Sequence, residues 1–187
     1  RMGCEWVSQN ASRFVATHGQ WIHALWLHPL FEDSDEGVRL AAVRAAGHSG
    51  HPALLEDLRG PDGIDVHWGL RSLYDQATGK LRFAAAVSLS RLGDRRGTQE
   101  LLLLTRDQQL SERLHAVQAM GESGQSAVFV THLVGLLQSE PQQQVRSAIL
   151  QSLLLLVEAA DRPQGLKLAI NEKKKCDVWR RWLDESR

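Results

Sequence analysis

The chain has 187 residues, 43% of them apolar, with 22 basic and 22 acidic side chains and no formal net charge. That is enough apolar material for a folded core, and the charge balance excludes a chain that depends on a polyanion to hold it together. No uninterrupted apolar run exceeds Leu153 to Val157, far short of the roughly 20 residues of a membrane-spanning helix, so no span is predicted.

Two cysteines, Cys4 and Cys176, stand almost a chain length apart with no CxxC spacing. A disulfide framework and a zinc ribbon are both disfavoured, and a reducing, cytoplasmic compartment is expected. Arg1 and Met2 lead into a mixed pattern with no apolar leader, so no secretory signal is predicted. An arginine ahead of the methionine suggests an excerpt from a longer chain or assembly.

In chain order, Glu5 to Thr17 reads as a flanking helix within residues 1–19, and Trp21 to Phe31 as the first helix of a unit spanning 20–50. Its second helix is VRLAAVRAAGHSG, residues 38–50. A unit at 51–93 opens on PALLEDL (52–58) and closes on LRFAAAVSLSRLG (81–93). Between them an insertion near 59–80 carries a Pro-Asp-Gly turn and a short extra helix bearing His67, Trp68 and Tyr74. The unit at 94–124 pairs TQELLLL (98–104) with RLHAVQAMGESG (113–124). The unit at 125–157 pairs VFVTHLVGLL (128–137) with VRSAILQSLLLLV (145–157). Pro163 to Ile170 and Glu172 to Glu185 form a final pair over 158–187, read as a cap that turns one face to water.

One register relates these segments. Arg39, Arg82, Arg113 and Arg146 recur at steps of 43, 31 and 33 residues, and Gly50, Gly93 and Gly124 follow the first three at a constant interval. Counted from each arginine, positions three, four and seven are apolar: Ala42, Val43, Ala46; Ala85, Ala86, Leu89; Ala116, Val117, Met120; Ile149, Leu150, Leu153. They share one helical face and predict the core. Six residues ahead of three arginines stands an acid, Asp33, Asp107 or Glu140, with Gln76 ahead of Arg82. The acids are expected to satisfy free N–H groups at the helix start and to form a ladder of ion pairs with the arginines. Glycine at the end predicts a left-handed C-cap. Val157 replaces it in the last unit.

An acid, a short turn, then VR, an alanine-rich stretch and a closing glycine resembles the HEAT-repeat family, in particular the short HEAT-like repeats of the phycobilin-lyase subclass. The resemblance covers residues 20 to 160. It implies an all-α, right-handed α-solenoid of stacked antiparallel helix pairs, an armadillo-like superhelix forming a single domain whose concave face is lined by the arginine-bearing helices. Positions one, five and nine after each arginine fall opposite the core. They are Leu40, Arg44 and His48; Phe83, Val87 and Arg91; Leu114, Gln118 and Glu122; and Ser147, Gln151 and Leu155. Leu40, Phe83 and Leu114 would make an apolar stripe for a peptide or helix, or else tuck between helices and complete the core; the second is favoured.

Other constellations point to chemistry less well. His18, His23 and His28 step by five, which scatters them around a helix, and His48 with His51 would need a third ligand, so no metal is expected. The basic C-terminal stretch offers Lys173, Lys174, Lys175, Arg180 and Arg181 to phosphates and Trp179 or Trp182 to a base. Against that, Trp179, Trp182 and Leu183 fall at helical spacing, and a packed capping helix is favoured. No nucleophile with an adjacent base, phosphate loop or carboxylate pair is legible. The expectation is a scaffold or adaptor without catalysis or cofactor, offering its concave face to an unidentified protein or peptide. A module binding the nucleic-acid backbone through Arg44, Arg91 and the C-terminal basic helix is the alternative. A lyase-like or glycosylase-like enzyme is more remote.

Overall fold

The computed structural model describes residues 26–59, 65–124, 126–158, 161–163 and 172–185. The flanking helix expected at the start, most of the helix from Trp21, the Pro-Asp-Gly turn, and nearly all of the segment from Pro163 to Ile170 lie outside them. The chain falls into two compact units, Arg1–Glu100 and Leu101–Arg187.

The first unit contains α1 (His28–Phe31), α2 (Glu36–Ser49), a 3-10 turn (Pro52–Leu55), β1 (Leu58–Arg59), β2 (Asp65–His67), α3 (Leu70–Gln76) and α4 (Gly79–Arg91). Helix α5 (Arg95–Leu104) contains the division between the units. The second holds α6 (Leu110–Ser123), α7 (Ser126–Ser139), α8 (Gln143–Leu156) and α9 (Glu172–Glu185). In unit one, α2 packs along α4, with α1 on α2 and α3 on α4; in unit two, α8 packs along α6, with α7 on α8 and α9 on α7. All twelve positions expected in the core are buried. Helices one repeat apart therefore stack through their alanine-rich faces, whose small side chains let the backbones come close.

How close is set by one contact that each unit repeats. Ser88 Oγ donates to the Val43 carbonyl at 2.7 Å, and Ser152 Oγ to the Val117 carbonyl at 2.8 Å. Facing each serine is a glycine with no room for a side chain. A Cβ at Gly47 would stand 2.6 Å from Ser88 Oγ, and one at Gly121 would stand 2.7 Å from Ser152 Oγ. Glycine serves here for its lack of bulk. At Gly50, Gly93 and Gly124 it serves for its backbone, since φ is 67°, 79° and 75° and closes three of the arginine helices in the expected left-handed turn.

The arginines and acids keep one rung of the expected ladder, Arg113 to Glu140, and otherwise act on the loops between helices. Nη1 of Arg39 donates to the Asp33 and Ser34 carbonyls, that of Arg113 to Asp107 and Gln108, and that of Arg146 to Glu140 and Pro141, all at 2.5–3.1 Å. The carboxylates instead accept from the N–H two residues on: Asp35 onto Asp33, Gln109 onto Asp107 and Gln142 onto Glu140. Acid and arginine thus fix the same short loop from opposite sides, the acid taking an N–H and the arginine two carbonyls that the next helix leaves open. The true N-cap of α2 is Asp35, which accepts from Gly37 and Val38. The side-chain ion pairs run forward in the sequence: Arg113 to Glu140, the expected kind of rung, and Arg82 to Glu100, which was not expected.

The second unit of the array departs most from expectation. PALLEDL does not form a helix: Pro52 starts a single 3-10 turn, and the chain then enters an antiparallel pair in which Leu58 faces His67 and Arg59 faces Asp65. Gly60 and Pro61 lie next in the sequence and oppose helix continuation. The first helix of this repeat is α3 from the expected insertion, and of His67, Trp68 and Tyr74 only Tyr74 lies on it. The extra segment is tied down by Asp57, which accepts from Gly69 N–H (2.6 Å) and the Ser72 hydroxyl (2.8 Å), and by Glu32, which accepts from Trp68 N–H.

Candidate functional site

In the first unit the Ser88–Val43 bond sets α2 beside α4 so that equivalent positions fall together. Arg91 Nη1 lies 3.5 Å from His48 Nδ1, which itself lies 2.7 Å from the Arg44 carbonyl. Arg44 and His48 are exposed, and Leu40, Phe83, Val87 and Arg91 are half-buried. Leu40 packs against the core cluster, so for this residue the core reading of the apolar stripe holds. The result is a surface with an apolar start and a basic end.

The second unit repeats the arrangement with other side chains. Leu114 and Ser147 are half-buried, while Gln118, Glu122, Gln151 and Leu155 are exposed. Leu155 keeps 68% of its surface open to solvent, the most of any large apolar side chain among the described residues. Polar amides and one acid thus replace the basic group, and Leu155 adds an apolar side chain at the far end.

The histidines are placed by structure. His51 caps the 3-10 turn by accepting from Ala53 N–H at 3.3 Å. His28 is fully buried against the Phe31 ring, with Nε2 3.1 Å from the Glu56 carbonyl, so it is neither solvated nor a cap. Among the described residues no group of three or more His, Cys, Asp or Glu side chains is arranged to hold a metal ion. His132 was not singled out from the sequence. Its Nε2 lies 2.9 Å from Thr105 Oγ1, and burial first, the Arg106 charge second, push its pKa down. The pair looks like a base beside a hydroxyl, but Thr105 is buried and donates to the Leu102 carbonyl at 2.7 Å. Its proton is committed to the helix end.

A second network ties α3 to its neighbours. Arg71 binds buried Asp94 through Nε at 2.6 Å and also reaches Glu56. The bond to Asp94 raises the Arg71 pKa above its ordinary value. Arg82, lacking an acid six residues back, bonds the Tyr74 carbonyl, the Tyr74 hydroxyl and Glu100, with its guanidinium carbon 4.2 Å from the Tyr74 ring centre. Burial and the bond to Glu100 raise the Tyr74 pKa, and the bond to Glu100 raises that of Arg82. These groups are occupied in cross-linking helices.

On α9, Lys173, Lys174, Arg180 and Arg181 are exposed and Lys175 is half-buried. Trp179 is fully buried and meets Trp182 edge-on at 5.4 Å, so the tryptophan offered to a base from the sequence belongs to the core. The helix is held to α7, where Arg180 donates to Gln138.

These paired helices, with loop-fixing arginines and glycine closures, have a counterpart among known families: residues 69–154 match the family model described as HEAT repeats. This stretch belongs to the HEAT-repeat family. The match opens at Gly69, one residue before α3, and runs to Leu154 in α8. The HEAT match thus begins just after the two-stranded segment. It does not select the phycobilin-lyase subclass. No curated protein matches the chain. HEAT repeats are commonly protein-interaction scaffolds, and no helix among the described residues is long and apolar enough to cross a membrane.

Proposed function

We propose that the chain is an intracellular, non-catalytic scaffold or adaptor that binds a protein or peptide through the open faces of its arginine-bearing helices. The observation that carries the reading is the face of α2 and α4, where exposed Arg44 and His48 stand with half-buried Phe83, Val87 and Arg91. Such a face suits a peptide with apolar anchors and acidic flanks. Its counterpart on α6 and α8 carries Gln118, Glu122, Gln151 and Leu155, so the two units offer different chemistry from one backbone plan. Repeat stability comes from neighbour contacts, which leaves surface positions free to specialise.

The test immobilises the chain and exposes it to native extract beside Arg44→Glu and Leu155→Asp, two changes at exposed positions. Proteins retained by the parent, lost from a variant and indifferent to nuclease are the expected result. A captured set that nuclease removes, or duplex-DNA binding that falls steeply with salt, would overturn the reading in favour of a nucleic-acid-backbone binder.

A further inference from the structure

Unit two holds a cleft of about 850 Å³ that plays no part in the face just described. One wall is a single stripe of α9, Lys173, Cys176, Asp177 and Arg180, spaced to share one side of the helix. The rest of the lining is Glu140 from the turn before α8, Gln143 and Arg146 from the start of α8, and Leu137 and Gln138 from the end of α7. Three cations and two acids therefore meet there. The two acids are not equivalent. Glu140 is 3% exposed, and both its oxygens accept from Arg113 at 3.2 Å while one also accepts from Gln142 N–H. Arg113 pairs with it, so among the described lining residues Asp177 is the acid that stands with Lys173, Arg146 and Arg180.

We infer that this cleft is a second binding site, taking an acidic peptide segment whose carboxylates sit between Lys173 and Arg180 of α9 and Arg146 of α8. The volume lies within the range of small-ligand sites and accommodates several side chains where a single ion would leave most of it empty. The lining is mixed polar and apolar, with Leu137 and Cys176 among the cations, which fits a peptide better than a bare phosphate chain. Lys174 does not line the cleft, so the site depends on one stripe of α9 and not on its total charge.

The experiment measures fluorescence anisotropy of a labelled octaglutamate peptide with the full chain, against a glycine-serine peptide of equal length and a short DNA duplex. Octaglutamate should bind and the neutral peptide should not. Lys173→Glu and Arg180→Glu should each weaken binding by about tenfold or more, Lys174→Glu should leave it within about twofold, and Asp177→Asn should tighten it. Circular dichroism with unchanged melting shows that the variants are folded. Absence of octaglutamate binding, an equal loss in Lys174→Glu, or duplex binding that exceeds the peptide and is lost in the same variants would overturn the assignment. A chain that binds octaglutamate while capturing no extract protein through Arg44 or Leu155 sinks the scaffold face and leaves the cleft standing.

Discussion

Arg113 reaches 27 residues forward to Glu140, its Nε and Nη2 each 3.2 Å from a different carboxylate oxygen. The two groups are 13% and 3% exposed, so the pair is largely withdrawn from water. The same guanidinium holds the Asp107 and Gln108 carbonyls, and the same carboxylate holds Gln142 N–H. One ion pair therefore ties together the loops that open α6 and α8. Replacing Glu140 with Ala leaves a mostly buried guanidinium without its counter-charge, and urea denaturation should show a loss of about 3 kcal/mol. The exposed Arg96–Asp75 pair is the comparison, and Asp75→Ala should cost less than about 1 kcal/mol. Equal costs would refute the special role of Glu140.

Gly121→Ala should destabilise by about 1–3 kcal/mol, although alanine is the better helix former, because its Cβ meets the Ser152 backbone and side chain at 2.7–2.8 Å. Truncating the serine does not repair it. Ser152 Cα and Cβ are themselves part of the clash, so Gly121→Ala with Ser152→Ala should remain well below the parent in melting temperature. Gly47→Ala should behave alike against Ser88. A neutral or stabilising Gly121→Ala would mean that α6 and α8 stand farther apart than described.

His132 predicts how stability depends on pH. Its folded pKa is depressed, chiefly by burial, below the ordinary value of 6.5, so the unfolded chain takes up the proton first. Stability from this residue is complete above that value and is lost as pH falls through it towards the folded value. The slope should stay below about 1.4 kcal/mol per pH unit, the limit for a single proton, and well under it because the ring is only half-buried. Chemical denaturation at several pH values should show the slope in the parent and its reduction in His132→Asn. Identical slopes would remove His132 from the account.

Two neighbouring leucines on α8 separate packing from recognition. Leu155→Asp, at an exposed position, should change stability by no more than about 0.5 kcal/mol, whereas Leu153→Ala, at a fully buried one, should cost about 2–5 kcal/mol. A large loss in Leu155→Asp would place that side chain in the core.

The arginine helices were legible because their apolar residues at three, four and seven match the helical period in all four repeats, and all twelve are buried. PALLEDL misled because a short apolar run fits a helix as well as a turn, while strands of two and three residues are too short to show alternation. The arginine–acid spacing was visible, but not which atoms of the loop each would bind, since carbonyl and carboxylate oxygens are equal candidates until the loop is folded. Of the candidate faces, the columns one, five and nine could be counted from the sequence. The cleft on α9 could not, because Arg146 and Arg180 come from segments with no shared register.

The glycine of the close helix contact stands eight residues after Arg39 and again after Arg113, where Arg82 and Arg146 have Ser90 and Leu154. The serine stands six after Arg82 and Arg146, where Arg39 and Arg113 have Ala45 and Ala119. Notch and peg thus alternate along the four arginine helices, so the matched element in this chain is a couple and not a single hairpin. Lengthening or trimming such an array by an odd number of hairpins would strand a notch or a peg.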